Sequence, residues 1–423
     1  MSLRFLHAAD IHLGYEQYGC DERYNDFGRA FECLVDDALA RQVDLLLLAG
    51  DLFHKHALDP QTLLQATYHL QRLQEAKVPV VAIEGNHERP RYQEGLSWLD
   101  YLAECGLLVL LNPRYESGQI VLQPWDGKIG AYFDLAGSVR VIGVKYYGAI
   151  TPRMVQDLTA ALGHLPGPRP AYTILMLHAG LQGILDNYSA TLTRAELEPL
   201  RAYADYLALG HIHKPFIQDE WIYNPGSLET NSVAEVEWED RGYFLVELDP
   251  SRQPAHAVTK IRGKRRAFER LRFSVGEYDS PEALQRALTA YIRREVTPDK
   301  VAQHPVVELE LKGTLNFDHA DLDTARIEQM VKEAYEPIAC LLRDTTSASE
   351  FDISTDATLS RAELEKIVLR ELVERDVRHR AQSEHWANMV LSLKRLALAD
   401  SAPEEIVSEL RRFGDVAEES QPC

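Results

Sequence analysis

Five apolar runs of strand length each end in a side chain able to bind a metal, and that recurrence narrows the folds open to this chain. Val43 to Ala49 is apolar except for Asp44, stops in Gly50-Asp51 and offers His54 three residues later. Leu3 to Ala8 leads into Asp10-x-His12, and Val78 to Ile83 into Glu84-Gly85-Asn86-His87-Glu88. Tyr172 to Leu177 runs into His178, and Tyr206 to Leu209 into His211-x-His213. A buried strand that delivers a polar side chain at its carboxyl end puts it at the rim of an α/β sheet, where such folds bind ligands. One such ending is ordinary turn chemistry. Five are a pattern.

Between the runs lie helical spacings. Phe27, Ala30, Phe31, Leu34, Val35, Ala38 and Leu39 share one face over Asp26 to Gln42, and a second helix is expected from Pro60 to Ala76. Alternating strand and helix predict βαβ units and a largely parallel sheet. Shorter strands are expected at Leu107–Leu111, Gln119–Gln123 and Val139–Val144, with Trp221–Ser227 and Tyr243–Leu248 closing the unit. From Thr259 the composition shifts: residues 260–272 hold seven basic side chains against one acidic. Beyond them a strand (Phe268–Val275), a helix (Pro281–Glu295), a strand (Val306–Lys312), a helix (Asp321–Tyr335) and a strand (Ile338–Arg343) suggest a separate small domain. Thr345–Thr358 has the composition of a linker. The tail carries helical spacing over Ser360–Ala399, broken near Arg380, and over Pro403–Phe413.

At 423 residues the chain exceeds one ordinary core. Its five cysteines show no CxxC pair, which speaks against a disulfide framework or a cysteine zinc site and fits a reducing compartment. Neither a signal peptide nor an apolar run long enough to span a membrane is evident, so the expectation is a soluble, cytoplasmic protein. A formal charge of −20 argues against tight autonomous binding to nucleic acid, although local patches and bound cations can invert the field where it matters.

The polar strand ends supply imidazoles, carboxylates and one amide: Asp10, His12, Asp51, Asn86, His178, His211 and His213, with His87 and His54 beside them. A mixed nitrogen and oxygen set suits manganese, iron or zinc better than calcium. Seven donors are too many for one tetrahedral ion and about right for two metals sharing a carboxylate. Any one of these histidines alone would more often be a satisfied core or turn residue.

Together DxH, GD, GNHE, a late strand-end histidine and GHxH resemble the calcineurin-like metallophosphoesterase superfamily. AADIHLGYEQY, LAGDLFH, AIEGNHERP, MLHAG and ALGHIHKP followed by NPGSLE are similar to the SbcD-like nuclease subunit of the DNA double-strand-break repair complex. The resemblance covers roughly residues 1–250. It implies an α/β fold: a two-sheet metallophosphoesterase sandwich with helices outside (1–258), a small α+β capping domain (259–345), a linker (346–358) and a helical tail (359–423). It implies one metal on Asp10, His12, Asp51 and His213 and a second on Asp51, Asn86, His178 and His211, with Mn2+ the expected ion and Asp51 bridging. His87 would sit over the scissile phosphate and His54 would support it.

By the same resemblance the function is a metal-dependent DNA nuclease, with 3′–5′ exonuclease and single-strand endonuclease activity. Its partners would be DNA ends, an SbcC-like coiled-coil ATPase docked on the C-terminal helices, and a second copy of the chain, in a nucleoid-associated setting. Two alternatives stand beside it: a phosphoesterase for small diesters or phosphoproteins, and a non-catalytic DNA-end-binding scaffold. GNHE is also phosphatase wording, but no arginine follows Asp51 until Arg72, which favours the nuclease. The basic stretch 260–272 is a candidate DNA path or a charged strand edge, and Tyr15, Tyr18 and Tyr188 are candidates for base stacking. In the tail, Leu364, Ile367, Val368, Leu372, Val390, Leu391, Leu393 and Leu396 give the apolar faces.

Overall fold

The structure, a computed structural model, describes residues 2–89, 95–116, 118–135, 137–185, 190–238, 240–348, 361–374, 382–398 and 403–418. In chain order β1 (Leu3–Ala8), α1 (Asp21–Ala40), β2 (Leu45–Leu48), α2 (Pro60–Glu75), β3 (Val80–Ala82), α3 (Trp98–Glu104) and β4 (Val109–Leu110) come first. A small hairpin of β5 (Arg114–Glu116) and β6 (Gln119–Val121) follows. Then come β7 (Tyr132–Leu135), β8 (Val139–Val144), α4 (Thr151–Gly163), β9 (Tyr172–His178), the short parallel pair β10 (Gly180–Leu181) and β11 (Thr191–Leu192), α5 (Arg194–Leu197) and β12 (Tyr206–Gly210). β13 (Phe216–Gln218), β14 (Ile222–Asn224), β15 (Gly242–Leu248) and β16 (His256–Arg262) complete two six-stranded sheets.

One sheet has the order β16-β15-β1-β2-β3-β4, the other β13-β14-β12-β9-β8-β7. Both have parallel centres, β1 to β4 and β14-β12-β9-β8; antiparallel β15 and β16 flank the first on one side, and antiparallel β13 and β7 flank the second on both. The parallel centres lie where the sequence predicts strands, whereas the edges β7, β13 and β16 do not announce themselves: β7 and β13 have only four and three residues, and no residue of β16 is fully buried.

Strand alternation explains the layering. In β2, Leu45 and Leu47 point into the core between the sheets, while Leu46 and Leu48 point outward under α1, α2 and α3. In β9, Ile174 and Met176 face the inter-sheet core, and Leu175 and Leu177 face α4 through Met154, Val155 and Leu158. A strand covered on both faces reads as a continuous apolar run. Truncating a fully buried leucine such as Leu47 to alanine costs about 2–5 kcal/mol.

The remaining elements are β17 (Phe268–Ser274), α6 (Pro281–Glu295), α7 (Pro298–Ala302), β18 (Val306–Leu315), α8 (Thr324–Tyr335), β19 (Ala339–Ala348), α9 (Arg361–Glu374), α10 (Ser383–Leu398) and α11 (Pro403–Glu418). β17, β18 and β19 form a three-stranded sheet in that order. By its contacts the chain divides into two compact units: Met1–Leu271 with Val296–Glu308 and Val331–Leu341, and Arg272–Glu295 with Leu309–Met330 and Leu342–Cys423. In the second unit Leu284, Leu288 and Ile292 of α6 and Ile327 and Met330 of α8 are buried, and α10 packs against both α9 and α11.

Several boundaries move. α1 begins at Asp21, five residues before the expected start, because Arg23 and Tyr24 bury although neither extends the apolar stripe. α8 begins at Thr324 rather than Asp321, since His319–Asp321 forms a tighter turn instead. β19 runs through Ala348, into the stretch that reads as a linker; residues 349–358 of that stretch lie outside the described residues.

Candidate metal centre

The donors come from the carboxyl ends of parallel strands β1, β2 and β3 in one sheet and β9 and β12 in the other. The loops are laced together by backbone bonds. Asp10 N–H donates to Gly50 C=O (3.1 Å), and the N–H groups of Ile11 and His12 both donate to Asp51 C=O (2.8 and 3.0 Å). His211 N–H donates to both oxygens of Asp10 (3.0 Å each), and His87 N–H to Oδ1 of Asp51 (2.9 Å). This lacing holds Asp10 (φ 53°), His12 (φ 54°), Asp51 (φ 55°) and His211 (φ 91°) in the left-handed region, which side chains other than glycine seldom adopt. Two glycines make the approach possible. A Cβ on Gly50 would collide with the imidazole of His178, and one on Gly85 with the carboxylate of Asp51.

Asp51 is 2% exposed and central. Its Oδ2 lies 3.4 Å from His178 Nε2 and 4.0 Å from Nε2 of both His12 and His87. On one side His12 Nε2 and His213 Nε2 stand 3.1 Å apart, with Asp10 completing the group. On the other, Asn86 Oδ1 is 3.1 Å from His178 Nε2 and 2.9 Å from His211 Nδ1. All seven expected donors therefore meet in one cluster. The arrangement fits divalent cations: two imidazole nitrogens facing each other at 3.1 Å can share at most one proton, and the buried Nδ1 of His12 has no hydrogen-bond partner.

Electrostatics say the same. Burial would raise the Asp51 carboxyl, but the neighbouring His178, His12 and His87 overcome it and hold it well below the usual range. Burial would lower His178, yet Asp51 and Asp10 push it up to about 9. Burial, countered in part by His178 and His213, raises Asp10 to about 6. The centre is acidic and short of cations.

His87 and His54 sit at the mouth. His87 Nδ1 donates to the His54 carbonyl (2.5 Å), which leaves Nε2 facing the cluster. Burial and the charge of His87 lower His54 to about 4. Tyr15, a candidate for stacking on bases, stacks instead on the His54 ring, with centroids 3.7 Å apart. Tyr18 is partly exposed nearby in sequence, and Tyr188 lies outside the described residues.

Three residues of the site have no role assigned by the sequence. Glu88 is 3% exposed and accepts the N–H groups of Asp51 (3.0 Å), Phe53 (2.8 Å) and Gly85 (2.7 Å), tying two ligand loops to one carboxylate. Burial and the charge of Asp51 push it up to about 8. Glu235 sits 2.8 Å behind His213, and the Tyr146 ring lies against His211 with centroids 5.4 Å apart. Glu88 was visible inside GNHE. Nothing marks Glu235 or Tyr146 in the sequence.

The calcineurin-like phosphoesterase family model matches residues 3–215, about half of the chain. A DNA double-strand break repair protein Mre11 from Haloferax volcanii is 30% identical over 334 residues, which cover 76% of this chain and 68% of that protein. The protein of the same name from Archaeoglobus fulgidus is 30% identical over 242 residues, 55% of this chain and 52% of that one. That from Methanosarcina mazei is 29% identical over 301 residues, 67% and 44%. In the last two, the match spans about half of the relative's length. With its strand-end donors gathered around Asp51 in a two-sheet sandwich, the chain belongs to the calcineurin-like phosphoesterase family, as a relative of the Mre11 proteins.

Proposed function

We propose that the protein is a metal-dependent DNA nuclease that trims DNA ends, as a 3′–5′ exonuclease and single-strand endonuclease in double-strand-break repair. The observation that carries the reading is the convergence of six further donors on Asp51 with the Nε2 of His87 facing them. Asp10, His12, Asp51 and His213 would hold one divalent ion and Asp51, Asn86, His178 and His211 the other, manganese suiting the mixed donors. When bound, such a pair supplies positive charge to a phosphodiester and makes water nucleophilic near neutral pH.

The chain's own residues do the rest. The His54 carbonyl fixes the proton on His87 Nδ1, so an imidazolium at His87 presents Nε2–H toward the cluster, in place to protonate the departing 3′ oxygen. Tyr15 keeps His54 in place by stacking. Glu88 holds the backbone of Asp51 and Gly85 against the repulsion of the crowded carboxylates.

The basic stretch is mostly spoken for. Arg266 grips Asp26 through Nε (2.9 Å) and Nη2 (2.8 Å), Arg270 pairs with Glu308 (2.7 Å), Arg272 with Glu310 (3.6 Å), and Lys260 and Arg262 with Asp240 (3.9 and 2.5 Å). These pairs favour an architectural role over a DNA path. In the tail, Leu372, Leu398, Val407 and Leu410 are large apolar side chains left at least 45% exposed, which supports docking of a coiled-coil ATPase. Homodimerisation and a cytoplasmic, nucleoid-associated location complete the reading. No described helix is long and apolar enough to cross a membrane.

One experiment tests the whole: purified protein with manganese, offered linear DNA, bis(p-nitrophenyl) phosphate and p-nitrophenyl phosphate. Hydrolysis of DNA and the diester is expected. Turnover of the monoester alone would overturn the nuclease.

A further inference from the structure

The two sides of the cluster are backed by different chemistry. His178 turns its Nδ1 to the carbonyl of Ala49 (2.8 Å), so that nitrogen donates and Nε2 is left for Asp51. His213 turns its Nδ1 to Oε1 of Glu235 (2.8 Å), and its Nε2 is left for the space shared with His12. One imidazole leans on a neutral dipole, the other on a carboxylate.

Glu235 is not free to move away. It is 5% exposed, and its second oxygen accepts from Arg241 Nη2 (2.6 Å) and from the N–H of Asn231 (3.0 Å). Arg241 is 1% exposed and also donates to the hydroxyl of Ser227 and the carbonyl of Glu229 (3.2 Å). A buried carboxylate with its counter-ion in place stays ionised, and removing either partner strands the other. The pair lies outside the expected ligand set, is too far along the chain to be a helix neighbour of His213, and among the described residues meets the cluster through that ring.

Accepting the dinuclear reading above, we infer that Glu235, clamped by Arg241, is a positioning residue that makes the two half-sites unequal. Its carboxylate fixes the tautomer and orientation of His213 and strengthens Nε2 as a donor. The half-site of Asp10, His12 and His213 therefore fills before that of Asn86, His178 and His211. An active site built this way is half-loaded over a range of metal concentration. Turnover then reports on occupancy of the weaker half.

The test is a titration of metal-free protein with Mn2+, followed by calorimetry and by the electron paramagnetic resonance of free Mn2+. Wild type should show two steps. In Glu235→Gln the tighter step should weaken about 10–100-fold while the other changes less than about threefold. Because glutamine strips Arg241 of its counter-charge, the doubly neutral Glu235→Gln/Arg241→Gln is run in parallel with the same expectation, and thermal unfolding without metal reports any damage to the fold. In a His213→Asn background the Glu235 substitution should change nothing further, whereas a merely structural glutamate would weaken binding there too. Two steps that stay put, or fall together, in both variants would overturn the inference. Wild-type protein that takes up no Mn2+ would overturn the metal centre itself, and this inference with it.

Discussion

The strand-end loops of the first unit and the helices that close the second break the usual distribution of side chains in opposite directions. Asp10, His12, Asp51, His178 and His211 are each at most 7% exposed, though all are polar. Leu372, Leu398, Val407 and Leu410 are each at least 45% exposed, though all are apolar. Buried polar groups are costly unless something compensates, and exposed apolar ones stand in clusters mainly where something covers them. In the function proposed above, a small charged ligand completes the first region and another macromolecule covers the second. The difference separates chemistry from assembly within one chain.

The sharpest attempt to break that separation is Asp51→Ala. In the proposed centre both half-sites share this carboxylate, so manganese uptake should collapse and DNA hydrolysis should fall ~1,000-fold or more. A variant that still binds two ions and cuts DNA would show that burial at the loops is not about metal. His87→Asn comes next. It should keep both ions and lose about 100–10,000-fold in kcat, because a proton donor is removed and no donor atom is. Unchanged kcat would remove His87 from the chemistry.

A third prediction uses a buried polar residue that is no ligand. His7 is fully buried, with Nε2 donating to the Leu209 carbonyl (3.1 Å) and Nδ1 accepting from the Tyr206 hydroxyl (3.0 Å), an arrangement only the neutral ring satisfies. Burial lowers it to about 3 from an ordinary 6.5. Between those values the unfolded chain takes up a proton that the folded chain refuses, so stability is full above pH 6.5 and falls as the pH drops toward 3. The loss through this residue is of the order of 5 kcal/mol. His7→Gln should flatten the pH dependence of the urea midpoint between pH 6.5 and 4, and an identical slope would count against the assignment. The smallest effect is expected at the other end of the chain. Leu372→Ser with Leu398→Ser should move stability by no more than about 0.5 kcal/mol per site, as for exposed positions generally, while abolishing co-purification with the ATPase. A large loss of stability would mean that these leucines hold the fold.

The sequence is legible where burial forces a period. Leu45–Leu48, Tyr172–His178 and the stripe through Phe31, Leu34 and Val35 announced themselves, because each must hide one or two faces. The donors were legible for a different reason: Asp51, His178 and His211 follow such strands directly, so the fold decides where their side chains go. The edge strands β7, β13 and β16 were not, since an edge exposes half its residues and its partner is set by register rather than by composition. Nor was Glu235, one acid among several in a turn, whose neighbour His213 lies 22 residues back along the chain. Residues 260–272 left a DNA path and a charged strand edge equally open; the acidic partners of five of their seven cations, Asp26, Asp240, Glu308 and Glu310, are distant in sequence and could be paired with them only in three dimensions.

Four of the donors hang from left-handed turns that backbone bonds between neighbouring loops hold in place, such as the pair from Ile11 and His12 to the Asp51 carbonyl. A frame fixed in that way behaves as a socket. Asparagine, aspartate and histidine tolerate such turns better than most residues, so donors can be exchanged among those three without resetting the loops, whereas a β-branched residue would pull the turn apart. Metal preference can then drift by single substitutions while the scaffold stands still. Of the four positions, Asp51 is the one where, in the proposed dinuclear centre, exchange would change both halves at once.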